Sequence, residues 1–97
     1  MVDCSSQEYY MRIEPVFVDQ VNRFSLEVDA DSGRMFVSIP VRNMLVEYSE
    51  WYEVDRETFE KYEADPTLAH EFVGKAKRRE IDHLLLVQPG RDRGFAD

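Results

Sequence analysis

Two runs of strict alternation with a turn between them constrain this chain most. Phe24, Leu26 and Val28 alternate with polar residues, as do Met35, Val37 and Ile39, and Asp31-Ser32-Gly33 lies between them. A two-residue period puts every second side chain on one face, so the pattern predicts a β-hairpin over 23–40. Pairing Val28 with Met35, Leu26 with Val37 and Phe24 with Ile39 keeps one register and gathers six apolar side chains on one face. Gly33 then falls where the turn most easily takes a positive φ.

The neighbouring segments extend a sheet. An earlier strand is expected from about Tyr9 to Val18, placed at an edge by Pro15, which has no N–H to donate to a ladder. Residues 44–54 read as a long strand, with Met44, Val46, Tyr48, Tyr52 and Val54 on one face and Glu50 the polar exception there. Leu45, Glu47, Ser49, Trp51 and Glu53 share the other face. Eleven residues exceed the usual strand length, so a bulge or bend is expected near Ser49–Glu50.

Helices follow. Asp55 fits an N-cap for a short helix over 56–63, with Val54 and Phe59 placed as a hydrophobic staple. Asp65-Pro66 is a second start signal, an aspartate cap followed by proline in the first turn, and predicts a longer helix over 66–80. Leu68, Ala69, Phe72, Val73 and Ala76 form its apolar stripe. Gly74, inside that helix, suggests close helix packing. Residues 81–87 read as a short final strand through 84–87, with a helix continuing to Leu86 as the alternative. Strands first and helices after make an α+β class: a small antiparallel sheet of three to four strands with two helices on one face. Ninety-seven residues suit a single domain, 1–97, with 1–8 and 89–97 expected to be mobile tails.

Composition narrows the function classes. One cysteine, Cys4, excludes an internal disulfide framework, and no apolar run approaches a membrane span. The first ten residues lack the basic-then-apolar order of a signal peptide, so a cytoplasmic location is expected. Twenty acids against 12 bases give a net charge of −8, which disfavours nucleic acid as a partner. That charge is uneven. Residues 45–65 hold 8 acids and 2 bases, net −6, while 1–44 carry −3 and 66–97 carry +1.

Catalytic signatures are scarce. The four glycines at 33, 74, 90 and 94 have no phosphate-loop spacing. His70 and His83 stand too far apart to present two ligands from one face, and Asp29 to Gly33 lacks the later glutamate of a calcium loop, so no metal or cofactor is expected. Cys4 has no fixed base beside it, and Asp82-His83 reads as a surface pair. Glu47 and Glu53 lie on the strand face opposite Glu50, so these carboxylates do not converge for hydrolysis. Lys75, Lys77, Arg78 and Arg79 sit where a helix dipole favours cations. What stands out is aromatic residues among carboxylates in 47–65. Glu47, Tyr48, Glu50, Trp51, Glu53 and Asp55 are the residues expected to meet a partner, with Trp51 as the anchor. The expected function is a non-enzymatic acidic protein-binding module: a small bacterial inhibitor of the immunity-protein or antitoxin type, capping a basic partner such as a toxin enzyme. The alternative is a homo-oligomeric or subunit module pairing along strand 44–54, with a small enzyme third; monomer and dimer both remain open.

Overall fold

A computed structural model describes residues 12–42, 47–88 and 94–96. The expected tail at 1–8, residues 89–93 and 97 of the expected tail at 89–97, the strand starts at 9–11 and 44–46, and Cys4 lie outside the described residues; residues 95–96 of the second tail are not loose but pair with the sheet. Four strands run antiparallel in sequence order: β1 (Ile13–Asp19), β2 (Phe24–Asp29), β3 (Met35–Arg42) and β4 (Glu47–Val54). A two-residue strand, β5 (Phe95–Ala96), pairs with Val41 and Arg42 of β3. It occupies the lane beyond the end of β2. Two helices, α1 (Arg56–Ala64) and α2 (His70–Lys77), pack on one side of the sheet, the α+β arrangement expected.

The central hairpin has the anticipated register. Val28 faces Met35 and Leu26 faces Val37. Gly33 takes φ 79°, and its N–H donates to the Asp29 carbonyl at 2.8 Å. Asp29 organises the turn from within, being only 3% exposed. Its carboxylate accepts from Ser32 Oγ at 2.6 Å and from the N–H groups of Arg12 and Asp31 at 3.0 and 3.2 Å. These bonds, the Ser32 hydroxyl first, hold its pKa below the ordinary aspartate value.

β1 is an edge strand, as Pro15 requires, and it carries the sheet's irregularity. Its register with β2 shifts between Pro15 and Phe17, leaving Val16 as the extra residue of a bulge. The bulge expected near Ser49–Glu50 is absent. β4 pairs with β3 without a break from Arg42–Glu47 to Met35–Val54. The described part of β4 is eight residues, all of them in register with β3.

The α-layer begins where the aspartates predict. Asp55 Oδ1 accepts from the Thr58 N–H at 2.8 Å, and Asp65 Oδ1 accepts from the Thr67 N–H and hydroxyl at 3.2 and 2.7 Å. The second helical run opens as a 3₁₀ turn over Pro66–Ala69 before α2 proper, and it ends sooner than the expected residue 80. Arg79 adopts φ 62°. The Arg79 N–H donates to the Ala76 carbonyl at 3.0 Å and that of Glu80 to the Lys75 carbonyl at 2.9 Å. This pair of bonds is a Schellman termination, and it closes the helix although glycine is absent. Beyond it, the strand expected at 84–87 is not formed. Asp82–Leu84 is a 3₁₀ turn, followed by one antiparallel bridge between Leu85 and Tyr52. A helix continuing to Leu86 is excluded by the same turn. The apolar run at 84–87 is satisfied by burying Leu85 rather than by pairing at length.

The core lies between sheet and helices. Phe24, Leu26, Val37, Ile39 and Tyr52 of the sheet meet Phe59 of α1 and Val73 and Ala76 of α2. Each fully buried side chain of this size contributes roughly 1.5–3 kcal/mol relative to exposure. Gly74 has a different role from the one expected. Among the described residues a Cβ there would meet the Arg78 guanidinium, at 3.2 Å, and no other element.

Candidate protein-binding surface

Alternation along β4 divides the six expected interface residues between two sides. Tyr48, Glu50 and Tyr52 face the helices, opposite Val41, Ile39 and Val37. Glu47, Ser49, Trp51 and Glu53 face the open side of the sheet. Asp55 lies past the strand as the cap of α1. Tyr48 is half-buried, and its hydroxyl accepts from the Gly94 N–H at 2.8 Å. Glu50 is 7% exposed, with the Tyr52 hydroxyl 3.1 Å from Oε1. That hydroxyl is also 3.3 Å from the Ala76 carbonyl, so it donates to one or the other. Tyr48 and Glu50 therefore belong to the interior. Glu47, Trp51 and Glu53 share the open face, as alternation required.

The open face is less anionic than the sequence of β4 suggests. Arg23 Nη2 lies 3.0 Å from Glu47 Oε2, and Arg42 Nη2 lies 3.7 Å from the same oxygen. Arg34 makes a two-pronged contact with Glu53, Nε to Oε2 at 3.0 Å and Nη2 to Oε1 at 2.5 Å. Hydrogen bonding from Arg34 holds the Glu53 carboxyl below its usual range. The Arg34 guanidinium also lies over the Phe36 ring, 5.6 Å from its centre. Trp51 directs its indole N–H to Glu27 Oε1. Because β3 separates β4 from β2, the indole spans β3 over Ser38, consistent with the burial of Phe36 and Ser38 on this nominally open side. Glu27, Glu47 and Glu53 are thus balanced by Arg23, Arg34 and Arg42. None of these partners was evident from segment charge, because they come from β3 and from the turns on either side of β2. The β3–β4 register is the signal that would have found Arg42 opposite Glu47.

The largest net negative charge lies on α1 and its caps. Residues 55–65 hold five acids (Asp55, Glu57, Glu60, Glu63, Asp65) against Arg56 and Lys61, net −3. All five acids are exposed. The ion pair given by these helix acids is Arg56 with Glu60, long at 3.9 Å and between exposed groups, so it contributes little. The Tyr62 hydroxyl senses this environment. Burial pushes its pKa up, and the carboxylates of Glu71 and Asp55 push it further.

Beside α1 a cavity of 250 Å³ opens between the helix and the sheet. Val16, Val28, Met35 and Phe59 supply its apolar lining, and Arg56, Glu60 and Glu63 its polar rim. Among the described residues no group of three or more histidine, cysteine or carboxylate side chains could hold a metal ion. Asp82 and His83 sit in the 3₁₀ turn after α2, with His83 exposed. No helix of the described residues is long and apolar enough to cross a membrane. No protein-family model matches the chain, and no curated protein or solved structure matches it.

Proposed function

We propose that this protein is a non-enzymatic acidic binding module, a bacterial cytoplasmic inhibitor of the immunity-protein or antitoxin type that caps a basic protein such as a toxin enzyme. The observation that carries this reading is the exposed, net-acidic row Glu57, Glu60 and Glu63 along α1, countered in part by the long Arg56–Glu60 pair. A cleft evolved for an anionic substrate presents cations, and a rigid helix lined with carboxylates meets them with complementary charge. Of the six residues expected at the interface, Asp55 lies at the start of this row. Glu47, Trp51 and Glu53 form a second, charge-balanced surface on the other side of the sheet. Pairing of two copies along β4 is the weaker reading, because the Leu86 N–H already donates to the Trp51 carbonyl at the centre of that edge.

Affinity purification from the native host, with charge-reversed variants in parallel, tests the proposal. Glu57→Lys/Glu60→Lys/Glu63→Lys is expected to lose a basic partner that the unaltered chain retains. Glu47→Lys/Glu53→Lys is expected to keep it. The association rate should fall steeply as ionic strength rises. Retention of the partner by the α1 variant, or recovery of no basic protein, overturns the reading.

A further inference from the structure

The cavity between α1 and the sheet has a form that plain charge attraction does not require. Its apolar lining comes from four elements: Val16 from the β1 bulge, Val28 from β2, Met35 from β3 and Phe59 from α1. Val16 is 47% exposed although it is a large aliphatic residue, and the bulge is what turns it toward this opening rather than along the pleat. Glu60 and Glu63 stand on the helix side of the mouth, and among the described residues Arg56, paired at 3.9 Å with Glu60, is the counter-charge on the rim. An apolar depression with a net acidic rim is complementary to an aliphatic side chain flanked by lysine or arginine.

We infer that this groove receives an aliphatic anchor residue from a basic segment of the partner, the aliphatic side chain entering among Val16, Val28, Met35 and Phe59 and its flanking cation meeting Glu63 and Glu60. The inference rests on the proposed binding function and names the place on the partner that α1 would hold. Strand addition at the neighbouring β1 edge is a poor competitor. Pro15 lacks a donor there, and the bulge at Val16 breaks the straight run of backbone groups that a new strand needs. The anchor therefore enters by its side chain, with the edge strand as one wall.

The test uses the full chain, isotope-labelled for NMR, and the capped peptide Lys-Lys-Leu-Leu-Lys-Lys as probe. Saturable shifts are expected at Val28, Gly33, Met35, Phe59 and Glu63. Replacing both leucines of the peptide by serine should weaken binding at least tenfold, as should Val16→Glu, a change at an exposed position that leaves the core intact. Equal binding of the serine peptide reduces the site to charge attraction and overturns the inference. So do shifts clustered elsewhere, or no saturable binding. The two proposals separate on the native partner. If the α1 charge reversal releases it while Val16→Glu and excess leucine peptide do not, the groove falls and the binding function stands. If neither set of changes affects retention, the binding function falls with it.

Discussion

Arg23 and Arg79 both hold a backbone conformation that glycine or asparagine usually takes, with φ near 60°. For a residue with a Cβ this costs roughly 1–2 kcal/mol. The Arg23 side chain reaches Glu47 across the open face; at Arg79 the two Schellman bonds fix the turn, and its guanidinium donates to the Gly94 carbonyl at 2.7 Å, next to β5. Asp29 works the other way, as an acceptor for donors that the hairpin turn would otherwise leave unmet. Its pH dependence follows from the sign of its shift. The folded pKa lies below the unfolded value of about 3.9, so the contribution of Asp29 is full above that value and is lost as pH falls through the lower, folded one. Asp19, Glu53 and Asp55 are shifted in the same direction and act with it. The urea midpoint should therefore stay level from neutral pH down to about pH 5 and then decline. Asp29→Asn should start from a lower midpoint and decline less steeply, as measured by urea titrations at stepped pH.

At the scale of elements, α2 carries a defect that can be removed. Gly74 sits within the helix, and the nearest atoms to an added Cβ belong to the far end of the exposed Arg78 side chain. That guanidinium is hydrogen-bonded to Glu80 in the open and can swing away. Gly74→Ala should therefore gain about 0.5–1 kcal/mol from helix propensity, read as a raised thermal midpoint. A loss instead would mean that Arg78 is held more firmly than its exposure implies. Phe59→Ala should have the opposite effect, costing about 3–5 kcal/mol in denaturant titrations because it removes the single buried side chain by which α1 docks. The elements differ in how far sequence revealed them. The hairpin was legible to the register because its alternation is clean, and both aspartate caps were legible because their chemistry is local. The end of α2 was not, since its left-handed stop falls on an arginine. The apolar run at 84–87 was ambiguous for another reason: one buried leucine and one bridge satisfy it, and neither leaves a periodic trace. The bulge was expected in the longest strand, where length invited it, and formed in the edge strand beside a proline instead.

For the whole molecule, the net charge of −8 resolves into two surfaces of different character. The carboxylates on the open face of β4 are matched by arginines that approach from β3 and from the turns on either side of β2, while those of α1 have the long, exposed Arg56–Glu60 pair. Counting charge along the chain merges the two, because strand and helix are adjacent in sequence and lie on opposite sides of the sheet. The candidate site was therefore half legible: its acidity could be read, its location could not. One consequence is optical. Trp51, the only tryptophan, and Tyr52 place neighbouring chromophores on opposite faces of one strand. Selective excitation of the indole reports on the side away from the helices, against a background in which Glu27 and the covered β3 set its emission. A partner bound along α1 should leave the emission maximum where it is, and urea should move it to the red. A shift on binding alone would locate the contact at the indole, so a fluorimeter can tell the two faces apart before any complex is crystallised.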